Sequence, residues 1–303
     1  MAIPVFKSQM QSIAVLGYSG YLGSHFARAI ESKGWSMLGL SRHEVDYTDS
    51  GRLSAWIKEN KPQFLINAAG YTGKPNVDAC EQEKADCLFG NAVLPGRIRE
   101  VCEDNEIKWG HVSSGCIFSG RREDDDGWME GDTPNFSFRS PPCSFYSGTK
   151  ALGEEVLHGA QNCYVWRLRI PFNEDFNRRN YLQKLLHYDN LLEAENSISQ
   201  VDEFVESCLI CFEREIEPGT YNLTNPGSIT TSRVTNWMLE EGVTDKEFSF
   251  FQDEIDFMDR AASTPRSNCV LDTTKAERAG LGMRPVEDAV RASLRKMKQN
   301  CPS

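Results

Sequence analysis

Residues 12–30 read SIAVLGYSGYLGSHFARAI and contain three structural signals in succession. The apolar run at residues 12–16 predicts a short buried strand, and the residues after Gly23 have the apolar spacing of a helix. Between them, Gly17 permits a tight turn, Gly20 lets the backbone approach a pyrophosphate, and Gly23 lets the helix pack closely. Strand, glycine turn and helix together predict a dinucleotide site, and the alternative is an ordinary turn. The predicted cofactor-binding residues here are Gly17, Tyr18, Ser19, Gly20, Tyr21, Leu22 and Gly23.

A second signal is the pair Tyr146 and Lys150 in S-F-Y-S-G-T-K-A-L-G-E-E. Positions i and i+4 of a helix share a face, so the phenol and the ammonium should point into the same space. A nearby ammonium lowers the pKa of a phenol, which makes it a usable general acid for a carbonyl that becomes an alcohol. The pair alone is weak evidence, because Tyr146 could also be a helix-surface residue.

Strand-like and helix-like segments alternate over residues 12–170, which is typical of a doubly wound parallel sheet. Further strands are predicted at residues 37–40, 64–67, 109–113 and 164–168. Past Pro171 the alternation breaks down and a helix is predicted at residues 181–192. We therefore expect a dinucleotide-binding domain over residues 11–170 and a smaller substrate-binding lobe over residues 171–303, with residues 201–224 returning to the first domain.

Composition narrows the class of protein. Of the 303 residues, 40% are hydrophobic and 25% are charged, as in ordinary globular proteins. The formal net charge of −11 argues against binding to nucleic acids or membrane surfaces, both of which favour basic patches. No apolar stretch approaches the length of a membrane span, and residues 1–7 lack the apolar core of a signal peptide. A cytoplasmic location is therefore expected.

The ten cysteines are scattered along the chain, which favours reduced thiols over a disulfide framework. Cys208 and Cys211 form a C-x-x-C, but no second pair or histidine cluster completes a metal site. Because apolar residues recur around them at helical spacing, we expect both to be core-packing residues and predict no metal.

Several separated segments carry a resemblance to a known family. The chain resembles the extended short-chain dehydrogenase/reductase family from about residue 12 to residue 295. Within it, the sequence is similar to the dTDP-4-dehydrorhamnose reductases and looks most like the plant-type 3,5-epimerase/4-reductases that act on UDP-4-keto-6-deoxy-glucose. The segments behind this match are residues 72–78, 115–118, 130–136, 221–227 and 265–275. The resemblance implies an α/β fold, a Rossmann-type doubly wound parallel sheet with a smaller, interleaved C-terminal lobe.

The resemblance also implies roles for individual residues. Tyr146 would be the proton donor, Lys150 would hold the nicotinamide ribose, and Ser114 would hydrogen-bond the substrate oxygen. If strand geometry extends past Ser114, Cys116 faces the substrate as well. Its thiolate, with a pKa lowered by nearby cations, could be the base of a 3,5-epimerisation, with Lys184 as the partner that the family match implies. The alternatives are a buried packing cysteine and a solvated lysine.

Cofactor choice is predicted from the end of the second strand. An NAD enzyme usually has an acid there, whereas this chain has Ser41 and Arg42, which suit the 2′-phosphate of NADPH, with NAD as the alternative. The resemblance implies that Asp46 faces the adenine. Further cofactor contacts are expected at Ala68, Ala69 and Gly70.

The substrate implied by the resemblance is a nucleotide-diphosphate sugar. Arginine suits a diphosphate because its planar fork meets phosphate oxygens in pairs. The candidate cations are Arg167, Arg169, Arg178, Arg179 and Arg266. Arg266 is the strongest candidate for the diphosphate because it lies in one of the segments that match the family. Candidates for contacts with the sugar are Lys74, Asn76 and Asp78.

Other functions stay open at this point. A reductase without epimerase activity, or a non-catalytic NADP-binding regulatory subunit, would have the same fold. A 4,6-dehydratase usually has an Asp-Glu pair after the catalytic hydroxyl, where this chain has Gly115 and Cys116. A 4-epimerase usually retains NAD, which Arg42 disfavours. Because the family is often dimeric, a homodimer is expected.

Overall fold

A six-stranded parallel sheet organises the chain in the computed structural model, which describes residues 11–300. The signal-peptide prediction for residues 1–7 lies outside the described residues. The strands are β1 (Ser12–Leu16), β2 (Ser36–Leu40), β3 (Phe64–Asn67), β4 (Lys108–Ser114), β5 (Cys163–Leu168), β6 (Pro171–Phe172), β7 (Asn190–Leu191), β8 (Glu195–Asn196), β9 (Ser199–Gln200), β10 (Gly219–Asn222), β11 (Ile229–Thr230) and β12 (Ser249–Phe250). The helices are α1 (Tyr21–Ser32), α2 (Ser50–Asn60), α3 (Lys84–Leu88), α4 (Leu94–Asp104), α5 (Phe145–Val156), α6 (Tyr181–His187), α7 (Val201–Glu213), α8 (Thr231–Glu240), α9 (Glu254–Ala261), α10 (Thr274–Arg278) and α11 (Val286–Asn300).

The strand order is β2-β1-β3-β4-β5-β10, and every neighbouring pair is parallel. The chain moves outward from β1 to β2 and then crosses to β3 on the other side of β1. This reversal creates a crevice at the carboxyl ends of β1 and β3, where ligands bind in open α/β sheets. The α/β Rossmann-type fold predicted from the sequence is confirmed.

Both faces of the sheet are covered, which explains why the strands are apolar runs without polar alternation. On one face, Phe26 of α1 and Phe204 of α7 pack together with Trp166 of β5. On the other face, Leu53 of α2 and Ile98 of α4 belong to a second buried cluster.

A smaller cluster builds the C-terminal lobe from α6, α8 and α11 with the short strands beside them. Residues from both parts of the chain also meet in the sheet, because β10 pairs with β5 and α7 packs on α1. Cys208 and Cys211 are fully buried on α7, as expected of packing residues.

The helix predicted at residues 181–192 is too long. α6 ends at His187, Tyr188 is extended, and the next residues form β7, which pairs with β12. This pairing partner lies some sixty residues later in the chain, so local helical spacing could not reveal it. Among the described residues, no helix is both long and apolar enough to cross a membrane.

Candidate active site

The glycine turn has the geometry that the sequence predicts. Gly17 has a φ of +75°, which favours glycine. A Cβ at Gly23 would lie 2.1 Å from the Gly17 carbonyl oxygen, so only glycine lets α1 start this close to the turn. α1 has no side-chain cap at Gly20, which leaves its first N–H groups and the positive end of its dipole available to an anion. A Cβ at Gly17 would lie 3.1 Å from the Ala69 backbone, so the turn meets the end of β3 at the reversal point.

Three neighbouring cavities follow the carboxyl edge of the sheet. The β2 cavity, about 360 Å³, contains Arg42, Tyr47, Ala69 and Gly70 in its lining. The central cavity, about 540 Å³, shares Gly70 with it. The α6 cavity, also about 540 Å³, shares Val77, Arg179, Lys184 and Arg266 with the central cavity. Shared lining residues make the three a continuous cleft of the size that ligand sites have.

The β2 cavity places some predicted cofactor residues differently from the expectation. Arg42 lines it, but the backbone N–H and the hydroxyl of Ser41 both donate to the Glu44 carboxylate, at 3.0 and 2.7 Å. Asp46 accepts from the backbone and the hydroxyl of Thr48 at 3.2 and 2.5 Å, and Tyr47 lines the cavity in its place. Ser41 and Asp46 are therefore both engaged in local turns.

The central cavity brings together all five predicted catalytic residues. Ser114 comes from the end of β4, Cys116 from the turn that follows, Tyr146 and Lys150 from α5, and Lys184 from α6. The N-terminal residues of α1 and the substrate candidate Arg266 line the same space. Residues from five separate segments converge on one cavity, as a substrate site requires.

Cys116 reaches the cavity by a route other than the predicted one. β4 ends at Ser114, whose hydroxyl accepts a hydrogen bond from the Cys116 N–H at 3.2 Å and caps one turn of 3₁₀ helix. The strand alternation therefore does not extend to Cys116. The Ser113 hydroxyl donates to the Glu154 carboxylate at 2.6 Å. Of the two neighbouring serines, Ser114 is therefore the one whose hydroxyl is not bound to Glu154.

The protonation states of Tyr146 and Lys150 are set mainly by burial. Burial raises the pKa of Tyr146 well above its ordinary value, and the thiols of Cys116, Cys80 and Cys87 add to this. The prediction that Lys150 lowers the pKa of the Tyr146 phenol is therefore wrong for the protein without a bound ligand. Burial lowers the pKa of Lys150, against the opposing effects of Cys116, Glu154 and Cys87.

Cys116 and Lys184 have pKa shifts in opposite directions. Burial raises the pKa of the Cys116 thiol, although hydrogen bonds with Ser114 and Ser147 and the charge of Arg169 oppose it. The predicted lowering by cations is therefore outweighed. Burial lowers the pKa of Lys184, and the charges of Arg179 and Arg266 add to the effect. Near neutral pH these directions favour a protonated thiol and a lysine that loses its proton more readily than usual.

The five arginines that are candidates for binding the diphosphate differ in whether they line the cleft. Arg167 is buried in an ion pair with Glu154, and Arg178 is exposed and lines neither the central nor the α6 cavity. Arg169 lines the central cavity, where its Nη2 donates to Asn196 at 2.6 Å and to the Ser267 carbonyl. Arg179 and Arg266 line both the central and the α6 cavities.

The remaining substrate candidates lie near the α6 cavity. Asn76 lines it and accepts a hydrogen bond from the Asp78 N–H at 2.9 Å. Asp78 is paired with Arg266, and Lys74 is exposed outside the lining. Three aromatic residues, Tyr188, Phe251 and Phe257, also line this compartment.

Asn91 is a buried residue that supports the cleft lining through Tyr71, and sequence reasoning missed it. It lies in a π-helical turn, Phe89–Val93, and its side chain holds both backbone groups of Tyr71, with distances of 2.9 and 2.8 Å. Tyr71 lines the β2 cavity. π turns often occur at functional sites, but no local pattern in the sequence marks this one.

A larger cavity, of about 830 Å³, lies away from this cleft. Four charged side chains of its lining form two ion pairs, Arg139 with Glu155 and Arg167 with Glu154. We therefore place the site in the cleft. Residues 11–300 contain no group of three or more His, Cys, Asp or Glu side chains placed to hold a metal ion.

Fold and cleft together define a Rossmann-type α/β protein with a cleft at the carboxyl edge of its sheet. Within that class, the chain belongs to the family described as RmlD substrate binding domain, whose model matches residues 10–299. A relative from Arabidopsis thaliana, the bifunctional dTDP-4-dehydrorhamnose 3,5-epimerase/dTDP-4-dehydrorhamnose reductase, is 31% identical over 89% of this chain and 87% of its own length.

Two solved structures share the fold. The L780 UDP-rhamnose synthase from Acanthamoeba polyphaga mimivirus has a TM-score of 0.86 at 23% identity, over 95% of this chain and all of the other. The dTDP-4-dehydrorhamnose reductase from Bacillus anthracis, solved in complex with NADP, has a TM-score of 0.80 at 16% identity, over 96% of this chain and all of the other.

Proposed function

We propose that this protein reduces the C4 ketone of a nucleotide-linked 4-keto-6-deoxy-hexose with NADPH. The observation that carries the proposal is the convergence of Ser114, Tyr146 and Lys150 with the N-terminus of α1 on one cavity. A ketone reduction needs a proton donor, a group that polarises the carbonyl, and fixed geometry, and these residue types supply them.

The cleft fits a dinucleotide on steric grounds. At Gly70, where the β2 and central cavities meet, a Cβ would lie 3.3 Å from Asn91 Oδ1 and 3.5 Å from Lys150 Nζ. The glycine turn and the uncapped start of α1 would hold the pyrophosphate, and Arg42 would face the 2′-phosphate. The Bacillus anthracis relative, which binds NADP, supports the same cofactor here. When bound, NADPH supplies the hydride.

The chain's own residues then supply the proton and the orientation. Tyr146 stays protonated because burial raises its pKa, so it can donate to the alkoxide that forms at C4. The Ser114 hydroxyl hydrogen-bonds the same oxygen and aligns the ketone. The Lys150 ammonium lies on the same helix face as Tyr146. Its positive charge stabilises negative charge on the Tyr146 oxygen and on the C4 oxygen of the substrate.

The nucleotide part of the substrate fits the α6 cavity. Arg179 and Arg266 lie where the two cavities join, and their positive charges suit a diphosphate within a protein of net charge −11. Phe251 and Phe257 beyond them suit stacking of a base. The nucleotide-sugar names of the relatives support this class of substrate.

We further propose that the protein inverts C3 and C5 before the reduction. The ketone acidifies both positions, and Cys116 and Lys184 line the cavity that would hold the ring. With the pKa directions found here, Lys184 serves as the base and the neutral Cys116 thiol as the proton donor. The bifunctional Arabidopsis relative supports this second activity, and a reductase without it is the alternative.

One assay tests the reduction. Purified protein should oxidise NADPH stoichiometrically with UDP- or dTDP-linked 4-keto-6-deoxy-glucose that a separate 3,5-epimerase has already treated. Tyr146→Phe should slow the rate by about 10²–10⁴-fold while NADPH still binds, because only the proton donor is lost. The control Tyr221→Phe alters a hydroxyl that donates to the Glu217 carbonyl at 2.7 Å, outside the cleft. If wild-type protein binds NADPH but reduces neither sugar, the non-catalytic alternative holds.

A further inference from the structure

Glu154 is a mostly buried carboxylate in the lining of the separate cavity of about 830 Å³, and it contacts Ser113, which lines the central cavity. It lies on α5 one helical turn after Lys150, and its side chain is 12% exposed. Arg167 donates to both of its carboxylate oxygens, from Nε at 3.0 Å to each and from Nη2 at 2.6 Å. The Ser113 hydroxyl donates to Oε1 at 2.6 Å. The Glu154 carboxylate on α5 therefore accepts hydrogen bonds from side chains of two neighbouring strands, β4 and β5.

These two attachments, to Ser113 and to Arg167, hold together the elements that carry the proposed reaction. Ser113 directly precedes Ser114 at the end of β4, and Arg167 lies opposite Ser113 in the register of β4 with β5. α5 carries Tyr146 and Lys150. A shift of α5 against β4 would change the distances between the Ser114 and Tyr146 hydroxyls, and a displacement of about 1 Å can slow catalysis about 10²-fold.

We propose that Glu154 is a positioning residue for the proposed reduction, one that fixes α5 against the ends of β4 and β5 and provides the counter-charge behind Lys150. This inference rests on the proposed function. No motif of the sequence marks Glu154, because both of its partners are distant in the chain.

The charge around Lys150 gives this role a measurable consequence. The titratable groups around the ammonium include Tyr146 and Glu154 on its own helix, Cys116 and Cys87, and the buried His111 on β4. Burial lowers the pKa of Lys150, and Glu154 is the carboxylate that opposes this. Without the carboxylate charge this opposing effect is lost, so the pKa of Lys150 falls further. The ammonium would then lose its proton at a lower pH.

A purely structural ion pair would behave differently. Breaking a buried pair destabilises the fold, but it need not move a pH profile. The neighbouring Glu155 provides a matched comparison, because it accepts from Arg139 at 3.0 and 2.6 Å on the same helix. That pair is largely exposed, with side-chain exposures of 40% and 77%.

The experiment compares Glu154→Gln with Glu155→Gln and wild type. NADPH affinity and kcat are measured across alkaline pH, with thermal unfolding as a check on folding. We expect Glu154→Gln to move the alkaline midpoint of both quantities down by about one pH unit, whereas Glu155→Gln matches wild type. A lowered unfolding temperature with an unmoved midpoint would overturn the proposal.

A measurement that needs no turnover and a second variant keep the proposal falsifiable. NADPH affinity needs no turnover, so the shift remains measurable even if no keto sugar is reduced, which separates this proposal from the proposed function. If Glu154→Gln does not fold, Ser113→Ala removes one attachment and leaves the ion pair intact. We then expect kcat to fall about tenfold with NADPH affinity unchanged, and a wild-type kcat in that variant would refute the positioning role.

Discussion

Arg266 and Asp78 form a bidentate ion pair across the cleft, although they are 188 residues apart in the chain. Nη1 and Nη2 of Arg266 donate to the two carboxylate oxygens at 2.6 and 2.8 Å. Burial alone would raise the pKa of Asp78, but the hydrogen bonds and charge of Arg266 hold it below its ordinary value. The pair links the loop after β3 to the segment before α10, and it fixes Arg266 at the junction of the central and α6 cavities.

Arg266→Ala should therefore weaken the nucleotide sugar specifically. Loss of charge-assisted hydrogen bonds, about 1.5–3 kcal/mol, should raise KM for the sugar by about 10- to 100-fold and leave NADPH affinity unchanged. Arg178→Ala is the control, because Arg178 is exposed and lines neither cavity. Steady-state kinetics with varied sugar concentration would refute the assignment if both variants kept the wild-type KM.

Arg42→Glu should change cofactor preference. Arg42 is exposed in the lining of the β2 cavity, so a carboxylate there would repel a 2′-phosphate and accept from a 2′-hydroxyl. We expect the Kd of NADPH to rise by about tenfold or more and that of NADH to change little. Lys58→Glu makes the same charge change on the exposed side of α2. Equal effects on NADPH and NADH in Arg42→Glu would remove Arg42 from the specificity argument.

Gly23→Ala should disturb the start of α1. Its new methyl group would lie 2.1 Å from the Gly17 carbonyl oxygen and 2.7 Å from Tyr18 Cα, so the helix or the turn must move. Overpacking of this kind lowers the free energy of unfolding by about 1–3 kcal/mol, and it should also weaken NADPH. Gly131→Ala is matched in chemistry, but its methyl group meets nothing within 4 Å. Thermal unfolding and NADPH titration would contradict this reading if the two variants behaved alike.

Cys116→Ser and Lys184→Ala should separate epimerisation from reduction. In deuterated water, wild-type protein should incorporate deuterium at C3 and C5 of the keto sugar before reduction. Lys184→Ala should lose this exchange, at one carbon at least, because the base is missing. Cys116→Ser should stop inversion of C3 and C5, because the thiol that donates the proton on the opposite face is missing. Reduction of pre-epimerised sugar should survive, since Ser114, Tyr146 and Lys150 are unchanged.

Cys143→Ser is the control for the thiol, because Cys143 is only partly buried and does not line the central cavity. Wild-type protein that reduces the pre-epimerised sugar but incorporates no deuterium would be a reductase only. Cys116 would then be a small buried side chain next to the site.

The nucleotide-binding half of the fold could be predicted closely from the sequence, because its signals are local. β1 and β3 have the predicted bounds, and the predicted strands at residues 37–40, 109–113 and 164–168 differ from β2, β4 and β5 by a residue at one or both ends. A buried parallel strand is an apolar run that needs no partner to be recognised. The turn at Gly17 is similarly visible, since only glycine tolerates its φ of +75°.

The site was less predictable wherever a side chain's partner is distant in the chain. Arg167 was a candidate for the diphosphate, yet Glu154 on α5 binds it in the core. Ser41 was expected to be free for a phosphate, yet Glu44 holds it through a turn. The pKa of Cys116 depends on burial by several elements, which a count of nearby cations does not capture. Residue type suggests what a side chain can do, but its contacts decide whether it is available.

The central claim is that a hydride passes from NADPH to the C4 ketone of a nucleotide-linked sugar. The most direct measurement uses NADPH that carries deuterium at both C4 positions of the nicotinamide, with pre-epimerised 4-keto-6-deoxy sugar and NMR or mass analysis of the product. The account predicts one deuterium at C4 of the sugar for each NADPH consumed, and none above background with Tyr146→Phe over the same time. A product without deuterium at C4, or NADPH that remains unoxidised in the presence of either nucleotide sugar, would contradict it.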